Sequence, residues 1–454
     1  MSHCKPKGRE STSVTRQKCS PAEVPVAKAL YNSSIGIDVH HSLLVCAYQN
    51  CNRESEEITT EVRQFGTTSS ELEKFSKWCR ERNPERILME STGVLWFSPY
   101  EALESVGFTR HELSLINARD FRAVNGRKTD KQDAERLALF ARLGTVRGSF
   151  VPPKCFREMR TVSRLLIKMT GERSRARSRY LKTLNFVGCR VSAVFSDSQG
   201  KSAKAILEIY CRGNLSALPK AIEDNHGRLR KSPEEILDAL NFAVSPAISE
   251  ALRVQHQHML DLEERCDDLY KLLCKMQSKY KKYIDKLTSI PGIKERAARL
   301  MFSEITNDLD CFRDEEHFAS WAGVCPGNKE SAGKRYSGHA AKGNKYLRAI
   351  LVECGQAIGL MRHGFLRSLF QAFKETRGTR RAVVAIAHRL IRIIFRLFTQ
   401  DKTYTEKETD ALTNVRIRKY MKSAANVKAQ NFEIAEHGSL IDKATGALIA
   451  LNPC

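Results

Sequence analysis

The run Ile35-Gly36-Ile37-Asp38-Val39 is the tightest constraint in the chain. It is apolar enough for a buried strand, yet it carries a carboxylate. A lone buried carboxylate is costly, so Asp38 requires a metal, a cation or a solvated cleft. Leu43 to Tyr48 reads as its hairpin partner and Ile58 to Phe65 as a third strand. Glu71 to Arg82 reads as a helix behind a Thr-Thr-Ser-Ser cap region. Arg86 to Met89 is a fourth strand ending at Glu90, a helix follows around Trp96 to Ser105, and Leu113 to Ile116 is a fifth strand. Thr129 or Asp130 then opens a helix to about Leu143. Hairpin-like strands followed by alternating helix and strand give the order of a ribonuclease-H-type α/β domain.

The acids fall at telling places in that order. Functional groups gather at the carboxyl ends of strands in open α/β sheets, which is where Asp38 and Glu90 stand. Asp130 and Asp133 share one face of a helix start. Hard oxygen donors from several elements are what Mg²⁺ needs, with substrate phosphate completing the shell. Two such ions can stabilise the attacking and the leaving oxygen of a phosphodiester. Each acid alone also has a plainer role: Asp130 as an N-cap, Asp133 as a first-turn acid, Glu90 as a surface residue beside a turn. Order and context together favour the metal site. Lys128 and Lys131 flank the pair and either hold a phosphate or balance charge. His40 and His41 match no metal spacing and read as structural or as near a substrate.

The second half is helical. One heptad-like series runs from Met159 to Val187, and a stronger one from Leu252 through Met259, Cys266 and Leu273 to Leu287. The two pair as a coiled coil, within or between chains, or are ordinary core helices. The stretch of about 190–248 reads as mostly helical. Ser289-Ile290-Pro291-Gly292-Ile293 resembles half of a helix-hairpin-helix element, although such a turn also makes a plain connection. Farther on, Pro326 to Lys334 is small, polar and flexible, with Ser331 inside it, and Lys334, Arg335, Lys342, Lys345 and Arg348 concentrate positive charge. A serine among cations can attack a phosphodiester. Read locally, the segment fits better as a phosphate-binding loop in which Ser331 only donates a hydrogen bond.

Charge points to the partner. The chain of 454 residues has 75 lysines and arginines against 52 acids, a formal net charge of +23 spread over its length, which favours a polyanion. The 14 cysteines include no C-x-x-C pair, and Cys46, Cys266 and Cys354 fall in apolar patterns, as reduced thiols in a reducing cytosol do. No signal-like core or membrane-length apolar run is present; Ala382 to Phe398 is interrupted by His388, Arg389, Arg392 and Arg396. Residues 1–30 read as a disordered basic terminus and 401–454 as a peripheral polar tail.

Gly36-Ile37-Asp38, Met89-Glu90-Ser91-Thr92-Gly93 and Lys128-Thr129-Asp130-Lys131-Gln132-Asp133-Ala134 resemble the three blocks of the DEDD-type insertion-sequence transposases, the insertion-sequence one-ten group that includes bridge-RNA-guided recombinases. Ser331-Ala332-Gly333, followed by Lys342-Gly343-Asn344 and then Leu347-Arg348, is similar to the family's C-terminal block. The resemblance covers about residues 31–400 in the right order. It implies an α/β plus α architecture: a RuvC-like domain at 31–150, a helical coiled-coil connector at 151–286 and a mainly helical transposase domain at 287–400. It implies Mg²⁺ on Asp38, Glu90, Asp130 and Asp133, and Ser331 as the nucleophile. It further implies DNA at the element junction and target, a noncoding guide RNA, a homodimer or homotetramer with composite sites, and a bacterial, cytoplasmic, nucleoid-associated protein. Ala332 stands where the family often has a glycine, and its methyl group restricts the backbone if positive φ is needed there. The rival expectations are a metal-dependent structure-specific nuclease, in which water attacks, and a non-catalytic nucleic-acid-binding scaffold.

Overall fold

The computed structural model describes residues 29–51, 57–91, 93–117, 129–146, 148–198, 200–227, 229–242, 244–325, 329–331, 334–337, 343–405, 432–434, 440–442 and 448–449. The chain divides into two compact units, Met1–Val151 and Pro152–Cys454.

The first unit is built on a five-stranded sheet: β1 (Ser33–Val39), β2 (Leu43–Cys51), β3 (Ile58–Gly66), β4 (Arg86–Ser91) and β5 (Leu113–Asn117). Their order is β3-β2-β1-β4-β5. The hairpin partners β1 to β3 are antiparallel, while β4 runs parallel to β1 and β5 parallel to β4. The period-two alternation of β1 explains the layers. Ile35, Ile37 and Val39 pack with Phe75, Trp78, Tyr100 and Leu103, which come from α1 (Ser69–Arg82) and α2 (Phe97–Ser105). The alternate positions Ser34, Gly36 and Asp38 face the other way, where α3 (Asp130–Leu143) covers the sheet. There Val45 and Ala47 meet Ala134 and Ala138, and Leu88 and Ile116 meet Leu137 and Ala141.

The approach of α3 depends on small residues. A Cβ on Gly36 would lie 2.1 Å from the Ala134 carbonyl oxygen and 2.2 Å from the Ala138 nitrogen. Ser34 Oγ donates to the Ala138 carbonyl at 2.7 Å. Thr129 caps the helix by accepting from the Gln132 N–H at 3.3 Å, and Gly144, with φ of 65°, ends it.

In the second unit, α4 (Lys154–Phe186) packs along a second long helix, Pro246–Met276, within the chain. Tyr180 stacks on His256, whereas Phe156 packs on Tyr280 just past the partner's end, so the pair is antiparallel. Between them lie α5 (Lys201–Cys211), α6 (Leu218–Asn225) and α7 (Pro233–Leu240), which share a core with Tyr180, Leu184, Leu252 and Met259. The long helix Pro246–Met276 is α8. The strong heptad series does not continue as one helix: α8 stops at Met276 and a new helix, α9 (Lys281–Thr288), begins after a single 3₁₀ turn. The fully buried Gln277 marks the break, its Nε2 donating to the Arg299 carbonyl and Ser303 Oγ at 2.9 Å each. A side-chain anchor of that kind carries no periodic signal.

The unit continues with α10 (Glu295–Ile305), α11 (Glu315–Trp321), a hairpin of β6 (Lys329–Ser331) and β7 (Lys334–Ser337), α12 (Lys345–Gly359), α13 (Phe365–Arg377) and α14 (Thr379–Thr399). Phe156, Met159, Leu166, Cys266 and Leu273 share one apolar core with α9 to α14. The Pro-Gly turn before α10 serves packing. Gly292, with φ of 88°, lies so close to α12 that a Cβ would sit 2.4 Å from Ile358 Cγ1. The polar tail contains an unforeseen three-stranded antiparallel sheet of β8 (Phe432–Ile434), β9 (Leu440–Asp442) and β10 (Leu448–Ile449). Among the described residues, no helix is long and apolar enough to cross a membrane.

Candidate metal centre and serine hairpin

Parallel register sets the first part of the site. Ile37 of β1 pairs with Met89 of β4, so Asp38 and Glu90 are the next residues on adjacent strands, both turned towards the α3 side. Glu90 in turn pairs with Ile116 of β5. The seating of α3 on Gly36 brings its first turn to the same edge. Asp38 and Asp133 are both buried, each 6% exposed. His40 extends the alternation of β1, so it returns to the face of Asp38. Its Nε2 lies 3.1 Å from Asp38 Oδ2 and 3.6 Å from Asp130 Oδ1. Asp38, His40 and Asp130 each offer a donor atom within 4.8 Å of the other two.

Among the described residues, burial and neighbouring acids dominate the electrostatics at Asp38. Burial pushes the Asp38 carboxyl above its ordinary 3.8; His40 opposes the shift, and Asp133 and Asp130 add to it. Among the described residues, Asp133 Oδ1 is buried without a hydrogen-bond partner, with Arg136 Nη1 3.6 Å away. A divalent cation would relieve both conditions at once.

Ser331 lies in the second unit, at the end of β6, and pairs across the hairpin with Lys334 of β7. The flexible stretch expected here is therefore in part a short antiparallel ladder. Glu330 pairs with Arg335, and an irregularity follows Lys329. Both flanks of the segment rest on one turn. On the entry side the Val324 N–H donates to the Ala319 carbonyl at 3.3 Å. On the exit side a Cβ on Gly343 would lie 2.4 Å from the Gly323 nitrogen, and the Asn344 N–H donates to the Trp321 carbonyl at 2.9 Å. Asn344 also caps α12, accepting from Tyr346 and Leu347 at 3.1 Å each.

Beneath this turn sits the fully buried Glu304. Arg164 of α4 grips its two carboxylate oxygens at 2.8 Å each, and Asn344 Nδ2 donates to it at 2.7 Å. Arg160 Nε lies 3.5 Å from the same carboxylate, and Arg164 also covers the Tyr346 ring at 4.7 Å. Burial lowers the Arg160 guanidinium to about 10, opposed by Glu304, so it remains a cation at neutral pH. The long helix α4 is thereby bonded to the residue that leads out of the serine segment.

A family model for DEDD-type IS110 elements, described as "Transposase", matches residues 35–188. A second, described as "Transposase IS116/IS110/IS902 family", matches residues 284–370. The chain belongs to the IS110 transposase family. It is 26% identical over 239 residues to the transposase for insertion sequence element IS1111A of Coxiella burnetii, a match covering 51% of this chain and 64% of the relative. It is 30% identical over 136 residues to y4pF/y4sB of Sinorhizobium fredii, provisionally named a transposase, covering 28% of this chain and 34% of the relative. The matches thus span less than two thirds of either relative.

Within this IS110-family chain, the first unit brings Asp38, Asp130 and Asp133 to one edge, with Glu90 on the neighbouring strand end. Lys128 and Lys342 fall outside the described residues, as does Ala332. Lys334 and Arg335 lie on β7; Lys345 is exposed at the first residue of α12, and Arg348 is half-buried one turn on. His40 carries no ligand signal in the sequence, because no metal-ligand spacing includes it. The available signal was its position two residues after Asp38, on the same face of a strand.

The donors fit a divalent cation. Aspartate oxygens are hard ligands suited to Mg²⁺ or Mn²⁺, while the imidazole of His40 shifts the set towards Mn²⁺ and its neighbours.

Proposed function

We propose that this chain is a DNA transposase that cleaves and exchanges strands through a covalent phosphoserine linkage. The observation that carries the reading is the convergence of Asp38, His40 and Asp130 at the carboxyl edge of a mixed sheet matched by a DEDD-type transposase family. The strand order β3-β2-β1-β4-β5 supports a RuvC-like, ribonuclease-H-like fold for this unit.

Asp38, Glu90, Asp130 and Asp133 are assigned to hold Mg²⁺, with His40 beside them. When bound, such ions stabilise charge on the attacking and leaving oxygens of a phosphodiester. Ser331 Oγ forms a bond to phosphorus as the bond from phosphorus to the departing strand oxygen breaks. The hydroxyl proton passes to solvent or to the departing oxygen. Because the new serine ester replaces the one broken, the phosphate stays a diester, and a strand hydroxyl can reverse the step and rejoin DNA without hydrolysis. Lys128, Lys334, Arg335, Lys342, Lys345 and Arg348 supply counter-charge for phosphates.

The net charge of +23 supports DNA and a noncoding guide RNA as partners. The same reading takes the chain as a homodimer or homotetramer in the bacterial cytoplasm. It also divides the chain into a catalytic domain at 31–150, a connector at 151–286 and a serine domain at 287–400.

The test is a denaturing gel of the full chain with labelled element-junction DNA, Mg²⁺ and co-expressed flanking RNA. The parent should yield a protein–DNA adduct that is absent with Ser331→Ala and with Asp38→Ala. An adduct surviving Ser331→Ala would overturn the nucleophile, and cleavage without any adduct would make the protein a nuclease.

A further inference from the structure

A second donor cluster lies in the second unit, away from the four acids in sequence and different in chemistry. Glu316 of α11, Cys325 in the turn after it and His388 of α14 each offer an atom within 4.8 Å of the other two. His388 Nε2 is 3.6 Å from Glu316 Oε2, beyond hydrogen-bond reach. That is already close to the ~3.3–3.6 Å between two ligands on one tetrahedral ion with bonds of about 2.0–2.3 Å. Cys325 Sγ faces the same helix start, 4.0 Å from the Glu316 carbonyl oxygen.

The Cys325 thiol donates to that carbonyl, and a cation orients the Glu316 carboxylate. Arg392 Nη1 holds the other carboxylate oxygen of Glu316, Oε1, at 3.3 Å, which leaves Oε2 turned to His388. The charge of Arg392 is in turn answered by Glu315, which also receives Arg396. Outer partners of this kind fix ligating carboxylates in metal sites. Burial lowers the His388 imidazole from its ordinary value, opposed by the neighbouring Glu316.

We infer that Glu316, Cys325 and His388 form a site for a borderline-soft divalent transition metal of the Zn²⁺ class. The mixed sulfur, nitrogen and oxygen set suits Zn²⁺ and excludes Mg²⁺, which takes oxygen ligands. Solvent fills the remaining position, on the side where Glu316 is 57% exposed. Binding releases the thiol proton to solvent, and no electron is transferred. The ion would join the turn that leads into the serine hairpin to α14.

The experiment uses the full chain, purified with a non-thiol reductant and stripped of metal, titrated with Co²⁺ and then Zn²⁺. The parent should develop a near-ultraviolet thiolate-to-cobalt charge-transfer band that Zn²⁺ removes. Zn²⁺ should also raise its melting temperature, as a ligand selective for the native state does. The band should vanish in Cys325→Ser and His388→Gln, and persist in Asp38→Ala. Two independent variants guard against a folding defect, with circular dichroism as the check. A parent without the band, or a band retained at full strength in either Cys325→Ser or His388→Gln, overturns the site. Neither outcome bears on the covalent adduct of Ser331, so this site and the proposed reaction stand or fall separately.

Discussion

Gly36 determines whether the acids can meet. It lies beneath α3 with no space for a methyl group: a Cβ there would fall 2.1 Å from the Ala134 carbonyl oxygen and 2.2 Å from the Ala138 nitrogen. The Gly36→Ala substitution must lift the helix that carries Asp130 and Asp133 away from Asp38. Overpacking of this kind costs about 1–3 kcal/mol. Denaturant unfolding of the parent and variant should report that loss, and Mn²⁺ affinity should fall with it; unchanged stability would refute the close packing. At this scale the sequence was partly legible. Asp38 was conspicuous as a carboxylate among aliphatic residues, because burial without compensation is costly. His40 was not, since its value comes from Asp130, which is distant in sequence but 3.6 Å away in the fold.

Elements whose signals are local were readable. The strand alternation of β1 to β5 and the Thr129 cap of α3 are set by neighbours in sequence. The break after α8 was not readable, because Gln277 is fixed by atoms of Arg299 and Ser303. The hairpin β6–β7 is short and polar, so no apolar alternation announced it. The docking of α9 on the end of α14 offers a pH test of such a tertiary anchor. Asp401 accepts from Lys282 at 2.7 Å and from the buried Lys286 at 2.6 Å, while Lys286 also donates to the Leu397 carbonyl at 3.0 Å. The hydrogen bond from Lys282, then that from Lys286, lowers the Asp401 carboxyl from its ordinary 3.8 to about 2. The unfolded chain therefore binds the proton first, and stability rises with pH across this window. The contribution is complete above 3.8 and is lost as pH falls through about 2. Asp401→Asn should flatten the fall of melting temperature over that range. Asparagine tolerates the left-handed backbone at this position, with φ of 51°, so the variant tests charge rather than strain. An unaltered acid slope would remove Asp401 from the anchor.

For the whole molecule, the decisive quantity is a positive charge that no single motif explains. A net +23 over 454 residues is ample for many phosphate contacts, yet the proposed guide RNA would leave base reading to pairing rather than to side chains. The two ideas have a joint consequence. Without RNA, the full chain should bind duplex DNA of any sequence with similar affinity and with steep salt dependence. A protein making about 6–10 phosphate contacts loses ~10³–10⁵ in affinity between about 50 and 200 mM salt. Lys345, exposed at the start of α12, is a discriminating residue within that total. If it touches a phosphate, Lys345→Gln should weaken binding equally for every sequence and reduce the logarithmic salt slope by about 1. If the slope is unchanged, Lys345 lies off the DNA path. If RNA-free binding instead discriminates strongly between junction and random duplexes, the protein itself reads bases, and the division of labour with a guide RNA fails even if the serine chemistry stands.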